Sequence, residues 1–162
     1  GDYDERASYV YDQLVELGRC GQKTGGGVYD YEPGSRTPIP SPITQKLIVE
    51  AAEKFGIEQR EVSDEEIIER CFLSLFNIGC DVLSEGMAYR ASDIDIVYLN
   101  GYGFPAWRGG PMYWAENTIG LKRALDRINE FAELHGREYW TPSPLLERLV
   151  AEGGSLRDVQ NG

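Results

Sequence analysis

Histidine is almost absent from this chain: His135 is the only one among 162 residues. A metal site built on two histidines is excluded, and acid/base chemistry would have to rest on that residue or on carboxylates. Cysteine is scarce as well. Cys20, Cys71 and Cys80 are an odd number without paired spacing, which suits free thiols in a reducing compartment better than a disulfide framework. Long apolar runs are missing too, since the stretch from Phe72 to Phe76 falls far short of the ~20 residues that span a bilayer. Nor is there a G-x-G-x-x-G segment, so no dinucleotide turn of the Rossmann kind is encoded.

Positive charge is the last deficit. Sixteen Lys+Arg stand against 27 Asp+Glu, a net charge of −11. Such a surface repels phosphate backbones and anionic lipid, so neither nucleic acid nor a membrane is expected as a partner. The chain opens Gly1-Asp2-Tyr3, without Met and without a basic-then-apolar leader, and we expect it to be cut from a longer polypeptide. What remains is ordinary for a globular protein: 41% hydrophobic and 27% charged residues. A chain of this length buries roughly 70% of its unfolded surface and needs neither disulfides nor a structural metal.

The apolar spacing reads as nearly all α, with about six helices. Asp4 is placed to cap a helix reaching about Leu17, with Val10, Leu14 and Leu17 on one face and Gly18 at its end. Residues 18–27 are too rich in glycine for helix or strand, and Val28-Tyr29-Asp30-Tyr31 alternates as a short extended segment. Pro33, Pro38, Pro40 and Pro42 then predict an irregular connector and a subdomain boundary. Ser41-Pro42 opens a helix over Leu47, Ile48, Ala51 and Phe55, closed by Gly56.

Ser63-Asp64-Glu65-Glu66 is a capping box that starts the strongest periodic segment. Ile67, Cys71, Leu75, Ile78 and Val82 form one stripe on it; Ile68, Phe72, Phe76 and Leu83 form a second. Such a wide apolar face predicts a central, mostly buried helix ended by Gly86. Ser92 and Asp95 begin a shorter helix. Residues 100–111 form a loop with Phe104, Trp107 and Arg108 in it. Pro111 opens another helix, Gly120 interrupts it, Leu121 to Leu134 line an amphipathic one ending at Gly136, and Ser143-Pro144 starts the last.

Few residues carry chemistry. Lys23 and Thr24, inside Gly21 to Gly27, have three readings: a phosphate cradle, a ligand-edge or interdomain loop, or a plain structural turn. A P-loop places its glycines before Lys-Thr and a helix after, whereas here the glycines follow. Arg108-Gly109-Gly110-Pro111 at a helix start has two: free amide N–H groups and a guanidinium converging on an anion, or a tight turn with Arg108 paired to a nearby carboxylate. Cys71 and Cys80, nine residues apart on one helix, fall on opposite faces and cannot share a metal. His135 reads as a solvated helix C-cap, and the acidic residues as a solvated face. Trp107, Tyr113 and Trp114 read as core and interface.

The order of segments resembles the helical C-terminal part of the 3-hydroxyacyl-CoA dehydrogenase family, most closely in multifunctional β-oxidation enzymes that join it to enoyl-CoA hydratase. Gly18-Arg19-Cys20-Gly21-Gln22-Lys23-Thr24-Gly25-Gly26-Gly27-Val28-Tyr29-Asp30-Tyr31 resembles the motif that closes the family's first helical repeat. Glu65 to Cys71, Glu85-Gly86, Ile94-Asp95, Gly101 to Pro111 and Pro142 to Leu146 resemble the second repeat.

The resemblance implies residues 1–32 as the tail of the first repeat, 33–62 as a Pro-rich connector with a linking helix, and 63–162 as the second repeat. It implies an upstream Rossmann domain that binds NAD and supplies a catalytic His and Glu, and an Asn-Arg pair in the first repeat. Here the pair's position reads Glu69-Arg70, without the amide. We therefore expect no catalytic, cofactor-binding or metal residue in this chain. Lys23, Thr24, Arg108, Gly109 and Gly110 remain as ligand-edge or interdomain candidates.

The expected role is to support domain packing and the acyl-CoA site of an enzyme that oxidises L-3-hydroxyacyl-CoA at C3. Its partners would be the upstream Rossmann and hydratase domains, with self-association of the isolated fragment. The alternative is a stand-alone helical module binding CoA esters or a protein. The ending Gln160-Asn161-Gly162 lacks a Ser-Lys-Leu-type signal, which favours a bacterial cytoplasm, or a peroxisome if the source is eukaryotic.

Overall fold

The computed structural model describes residues 5–160. It consists of two compact units, residues 1–61 and 62–162. The described residues hold eight α-helices and one two-stranded sheet, so the chain is all-α in character as expected.

In the first unit α1 (Glu5–Glu16) packs against α2 (Pro42–Phe55). The Asp4 cap lies outside the described residues. α1 ends as the sequence requires: Gly18 takes φ 72°, and the Arg19 amide donates to the Leu14 carbonyl at 2.8 Å. Leu14 and Leu47 are buried, and Tyr9 meets Phe55 edge-on with ring centroids 5.7 Å apart. Leu17, expected on the buried face, is exposed.

The Pro-rich stretch is not wholly irregular. β1 (Tyr29–Asp30) pairs antiparallel with β2 (Ile39–Pro40), Tyr29 opposite Pro40. A proline without an N–H is tolerated because each strand of a two-stranded sheet is an edge strand. Ser41 precedes α2 but makes no side-chain cap there; its hydroxyl faces Arg19 instead.

The second unit is built on α3 (Asp64–Ser84), the longest element among the described residues. Ser63 caps it, its Oγ accepting from the Glu66 amide at 3.2 Å. α4 (Ala91–Gly101) follows a turn through Gly86. It starts before the expected Ser92 because Asp93 reaches back to the Arg90 amide at 3.1 Å. α5 (Pro111–Trp114) runs into a π-helical turn over Ala115–Ile119, stopped by Gly120. α6 (Leu121–His135), a short α7 (Arg137–Trp140) and α8 (Pro144–Glu152) complete the unit. Seven of the eight correspond to segments named from the sequence, and only the short α7 does not.

α3 supplies the centre of the core, but not with the stripe first named. Leu73, Phe76, Cys80 and Leu83 are fully buried against Met112, Ile128, Phe131 and Leu146. Ile67, Cys71 and Ile78 are exposed, and Leu75 and Val82 half-buried. The helix has two adjacent apolar stripes, and periodicity alone does not say which one faces the core of its own unit.

The outward stripe joins α4 in an apolar groove of about 470 Å³, with Leu75, Ile78, Val82, Met87, Val97 and Tyr102 in its walls. At its floor Gly79 lets α3 approach α5, since a Cβ there would stand 2.5 Å from Met112 Sδ. No helix among the described residues is long and apolar enough to cross a membrane.

Candidate functional site

In the first unit the glycine-rich turn closes around Arg19. The guanidinium donates to the Gly27 carbonyl at 2.9 Å, to Ser41 Oγ at 3.0 Å and to the Asp30 carboxylate, whose hydrogen bond from Arg19 holds it below the usual range. Gly26 has no side chain for a steric reason: a Cβ would lie 2.6 Å from Arg19 Nη1.

Four amides of the turn, those of Gly21, Thr24, Gly25 and Gly27, are used within it and its strand. Gly21 donates to Gly26, Gly25 to Gln22 and Gly27 to Tyr29, at 2.8–3.0 Å. Thr24 Oγ1 accepts from the Cys20 amide at 2.9 Å and sits 2.9 Å from the Gly21 and Gly26 carbonyls. Lys23 is exposed beside it. Those four amides are therefore not free to cradle a phosphate, and no helix follows the Lys-Thr pair as a P-loop requires.

Arg108, Gly109 and Gly110 lie together in the second unit, at the end of a 3-10 turn over Ala106–Arg108. The anion-cradle reading of this helix start is corrected by its donors. Asp95, on α4 and only 7% exposed, accepts from the Met112 amide at 2.8 Å and the Tyr113 amide at 3.1 Å. Its carboxylate takes the place an external anion would need. The Arg108 and Gly109 amides are spent on Pro105 and Ala106.

Gly110, at φ 105°, is required twice over, because a Cβ would come 2.3 Å from Asp95 Oδ1. Burial raises the Asp95 carboxyl to about 6, the two amide bonds oppose this, and nearby Glu116 adds to it. Arg108 has aromatic neighbours rather than the carboxylate expected of the tight turn: its guanidinium carbon lies over the Trp107 ring, 4.2 Å from the centroid, and 5.5 Å from the centroid of Phe72.

Glu69 is the least expected residue. It is 3% exposed on α3, and α6 brings two cations to it: Arg127 Nε at 2.7 Å and Arg123 Nη2 at 3.2 Å. Arg127 also pairs with Glu130. A second polar clamp holds the start of α8. Asn77 donates to the Thr141 carbonyl at 2.8 Å and accepts from the Ser143 amide at 2.8 Å.

His135 is half-buried and stacked on Phe131 with centroids 6.0 Å apart, rather than freely solvated. Cys71 is exposed and Cys80 buried, on different faces as expected. No group of His, Cys, Asp or Glu that could hold a metal occurs among the described residues.

Residues 67–162 match the family model for 3-hydroxyacyl-CoA dehydrogenase, C-terminal domain. The chain belongs to that family. It is 44% identical over 146 residues to a peroxisomal bifunctional enzyme of Danio rerio and 40% identical over 146 residues to that of Homo sapiens. Each alignment covers 89% of this chain and 20% of the relative. A peroxisomal fatty acid beta-oxidation multifunctional protein of Arabidopsis thaliana is 38% identical over 159 residues, 95% of this chain and 22% of the relative. The chain thus spans about a fifth of the length of the curated relatives it matches.

Two features of this 3-hydroxyacyl-CoA dehydrogenase C-terminal domain escaped the sequence reading. The burial of Glu69 could have been suspected from its place four residues before the core position Leu73, but its partners lie 54 and 58 residues away. Asp95 was read as a cap of its own helix and caps another.

Proposed function

We propose that the chain is the C-terminal part of a multifunctional enzyme of fatty acid β-oxidation, and that its second unit serves the architecture of that enzyme rather than its chemistry. The observation that carries this is Glu69. Where the family resemblance calls for the amide of an Asn-Arg pair, this chain has a carboxylate whose two oxygens accept from Arg127 and Arg123. A group so engaged is not presented to a substrate.

On this reading residues 63–162 are the second helical repeat, 1–32 the tail of the first and 33–62 the connector. The two ends of the described chain support it. Shifted by 135 positions, α1 and its turn match α8 and its turn: Leu14 with Leu149, Val15 with Val150, Gly18 with Gly153. Both helices end on a left-handed glycine, and both return an amide to the matched leucine, at 2.8 and 2.9 Å.

α8 is packed against α3 and α6, and its Leu146 is fully buried. The matching Tyr11 on α1 is 62% exposed. α1 therefore has the docking face of a last helix without the helices that would cover it. Those helices, the Rossmann domain that holds NAD, and the catalytic His and Glu belong to polypeptide outside these 162 residues. The groove between α3 and α4 and the loops at Lys23–Thr24 and Arg108–Gly110 then serve as contacts to neighbouring domains, near the acyl-CoA. The relatives' names favour a peroxisome for a eukaryotic source.

The test compares the full polypeptide with the chain alone in acetoacetyl-CoA reduction by NADH. The full polypeptide is expected to turn over and the chain to be inert. Calorimetry of the chain with acetoacetyl-CoA separates the stand-alone module: tight binding would overturn the architectural reading.

A further inference from the structure

We infer that Asp95 is a proton-operated latch on the first turn of α5, holding Met112 beneath the α3–α4 groove with two hydrogen bonds when ionised and with one when protonated. The device lies wholly within the second unit and does not depend on the enzyme reading above.

The first turn of α5 has no acceptor of its own. Its N-cap is Gly110, which has no side chain to take the turn's amides and cannot be exchanged for a residue that has one, since its φ is 105° and a Cβ would collide with Asp95. The missing acceptor comes from α4. Asp95 Oδ1 accepts from the Met112 amide at 2.8 Å and Oδ2 from the Tyr113 amide at 3.1 Å.

Two opposed demands meet on this carboxyl. Two oxygens accepting from two amides is the arrangement of a carboxylate, whereas enclosure favours the neutral acid. Burial prevails and pushes the group up to about 6. When a proton is taken, the oxygen that carries it becomes a poor acceptor, and its hydrogen competes with the amide aimed at it. One of the two bonds is then lost.

The charges around Asp95 leave it free to titrate. Glu116, on the π-helical turn, raises it further and is itself held by Ser155 Oγ at 2.7 Å and the Leu156 amide at 2.9 Å. Asp93, on the same helix as Asp95, pairs with Arg90. The Arg108 guanidinium, on the 3-10 turn before α5, lies over the Trp107 ring, and the Tyr113 ring lies against Gly109. On α3 the buried Cys80 thiol is pushed up and stays neutral. Among the described residues no cation pairs with Asp95 to hold it ionised.

The lost bond is felt at the groove floor. Met112 is fully buried, with its sulfur in the space beneath Gly79, which lines the groove. Ile94, the residue before Asp95, lines it too and reaches the same point. A close-packed interior has no slack to absorb a turn held by one bond instead of two, so Met112 moves with it.

The test uses the chain labelled with 13C at its methionine methyl groups. Met87 and Met112 are its two methionines, so two signals are expected, and Met87→Leu assigns them. Between about pH 5 and 7 the Met112 methyl is expected to move with a midpoint near 6. The amide proton of Met112 or of Tyr113 is expected to move upfield below that midpoint as its bond is lost. Asp95→Asn, which offers one acceptor oxygen at every pH, should abolish both changes. Glu116→Gln, which leaves Asp95 in place, should lower the midpoint. Circular dichroism of each variant reports folding.

A Met112 methyl that stays still across this range overturns the inference, as does one that still titrates in Asp95→Asn. Movement of the methyl while both amides keep their bonds would show a titrating charge without a latch, and overturns it equally. Should Asp95→Asn fail to fold, Glu116→Gln decides: an unchanged midpoint counts against the inference, a lowered one for it.

Discussion

Replacing Glu69 by Gln keeps the shape of the side chain and removes its charge. The two bonds it breaks differ in weight. The Arg127 contact, at 2.7 Å, joins side chains 23% and 4% exposed, while Arg123 is 57% exposed. An exposed pair contributes roughly 0.5 kcal/mol or less, so nearly all the effect belongs to Arg127. Exchanging a charge-assisted bond for a neutral one in that setting costs about 2 kcal/mol.

Glu69→Ala also empties the site and leaves Arg127 only Glu130, for about 3–4 kcal/mol. Urea unfolding followed by circular dichroism measures both. For a unit of ~100 residues, 2 kcal/mol lowers Tm by roughly 8–16 °C. Because a buried ion pair replaced as a pair by apolar residues is often neutral, Glu69→Leu with Arg127→Met should recover most of the loss. Full stability in Glu69→Gln, with no coupling in the double-mutant cycle, would refute the assignment of Glu69 as a structural anchor.

Four further outcomes are expected. Asn77→Ala orphans the Ser143 amide and the Thr141 carbonyl and should cost about 2–3 kcal/mol, read in the same unfolding assay; under 0.5 kcal/mol would refute the clamp. Gly110→Ala combines a positive φ with a collision against Asp95 and should cost at least about 3 kcal/mol, whereas Gly101→Ala, with open space around it, should change stability little. Asp95 in the folded chain titrates near 6 against an ordinary 3.8, so its contribution is greatest below pH 4 and is lost as pH rises through 6. Relative to Asp95→Asn, the wild type should lose about 3 kcal/mol between pH 4 and 7, and a flat or reversed difference would contradict the burial argument. Of the three thiols, Cys20 and Cys71 should react rapidly with a disulfide reagent in native protein and Cys80, buried with its thiol pKa pushed up, only on unfolding.

Much of the fold is legible in local signals. Glycines 18, 56, 86 and 153 end their helices where they stand in the sequence, and Ser63 caps α3, because these are interactions within a few residues of chain. The site is less legible, since its decisive contacts are long-range. That Asp95 caps α5, that Glu69 rather than Ile67 points inward on α3, and that Arg19 fills the glycine turn all depend on partners supplied by another element. The choice between the two stripes of α3 is of this kind. Periodicity shows that both are apolar, and only the packing of α6 and α8 shows which one this unit buries.

The central claim, that Glu69 stands in the second repeat where the resemblance calls for the amide of the first and has a purely structural role there, is tested most directly in the full polypeptide carrying Glu69→Gln. The measurement is single-turnover hydride transfer to NAD from a 3-hydroxyacyl-CoA, well below the variant's Tm. A rate within about twofold of the wild type, with Tm lowered as above, is the expected result. A rate reduced by about a hundredfold or more at unchanged Tm would place Glu69 in the chemistry and contradict the claim.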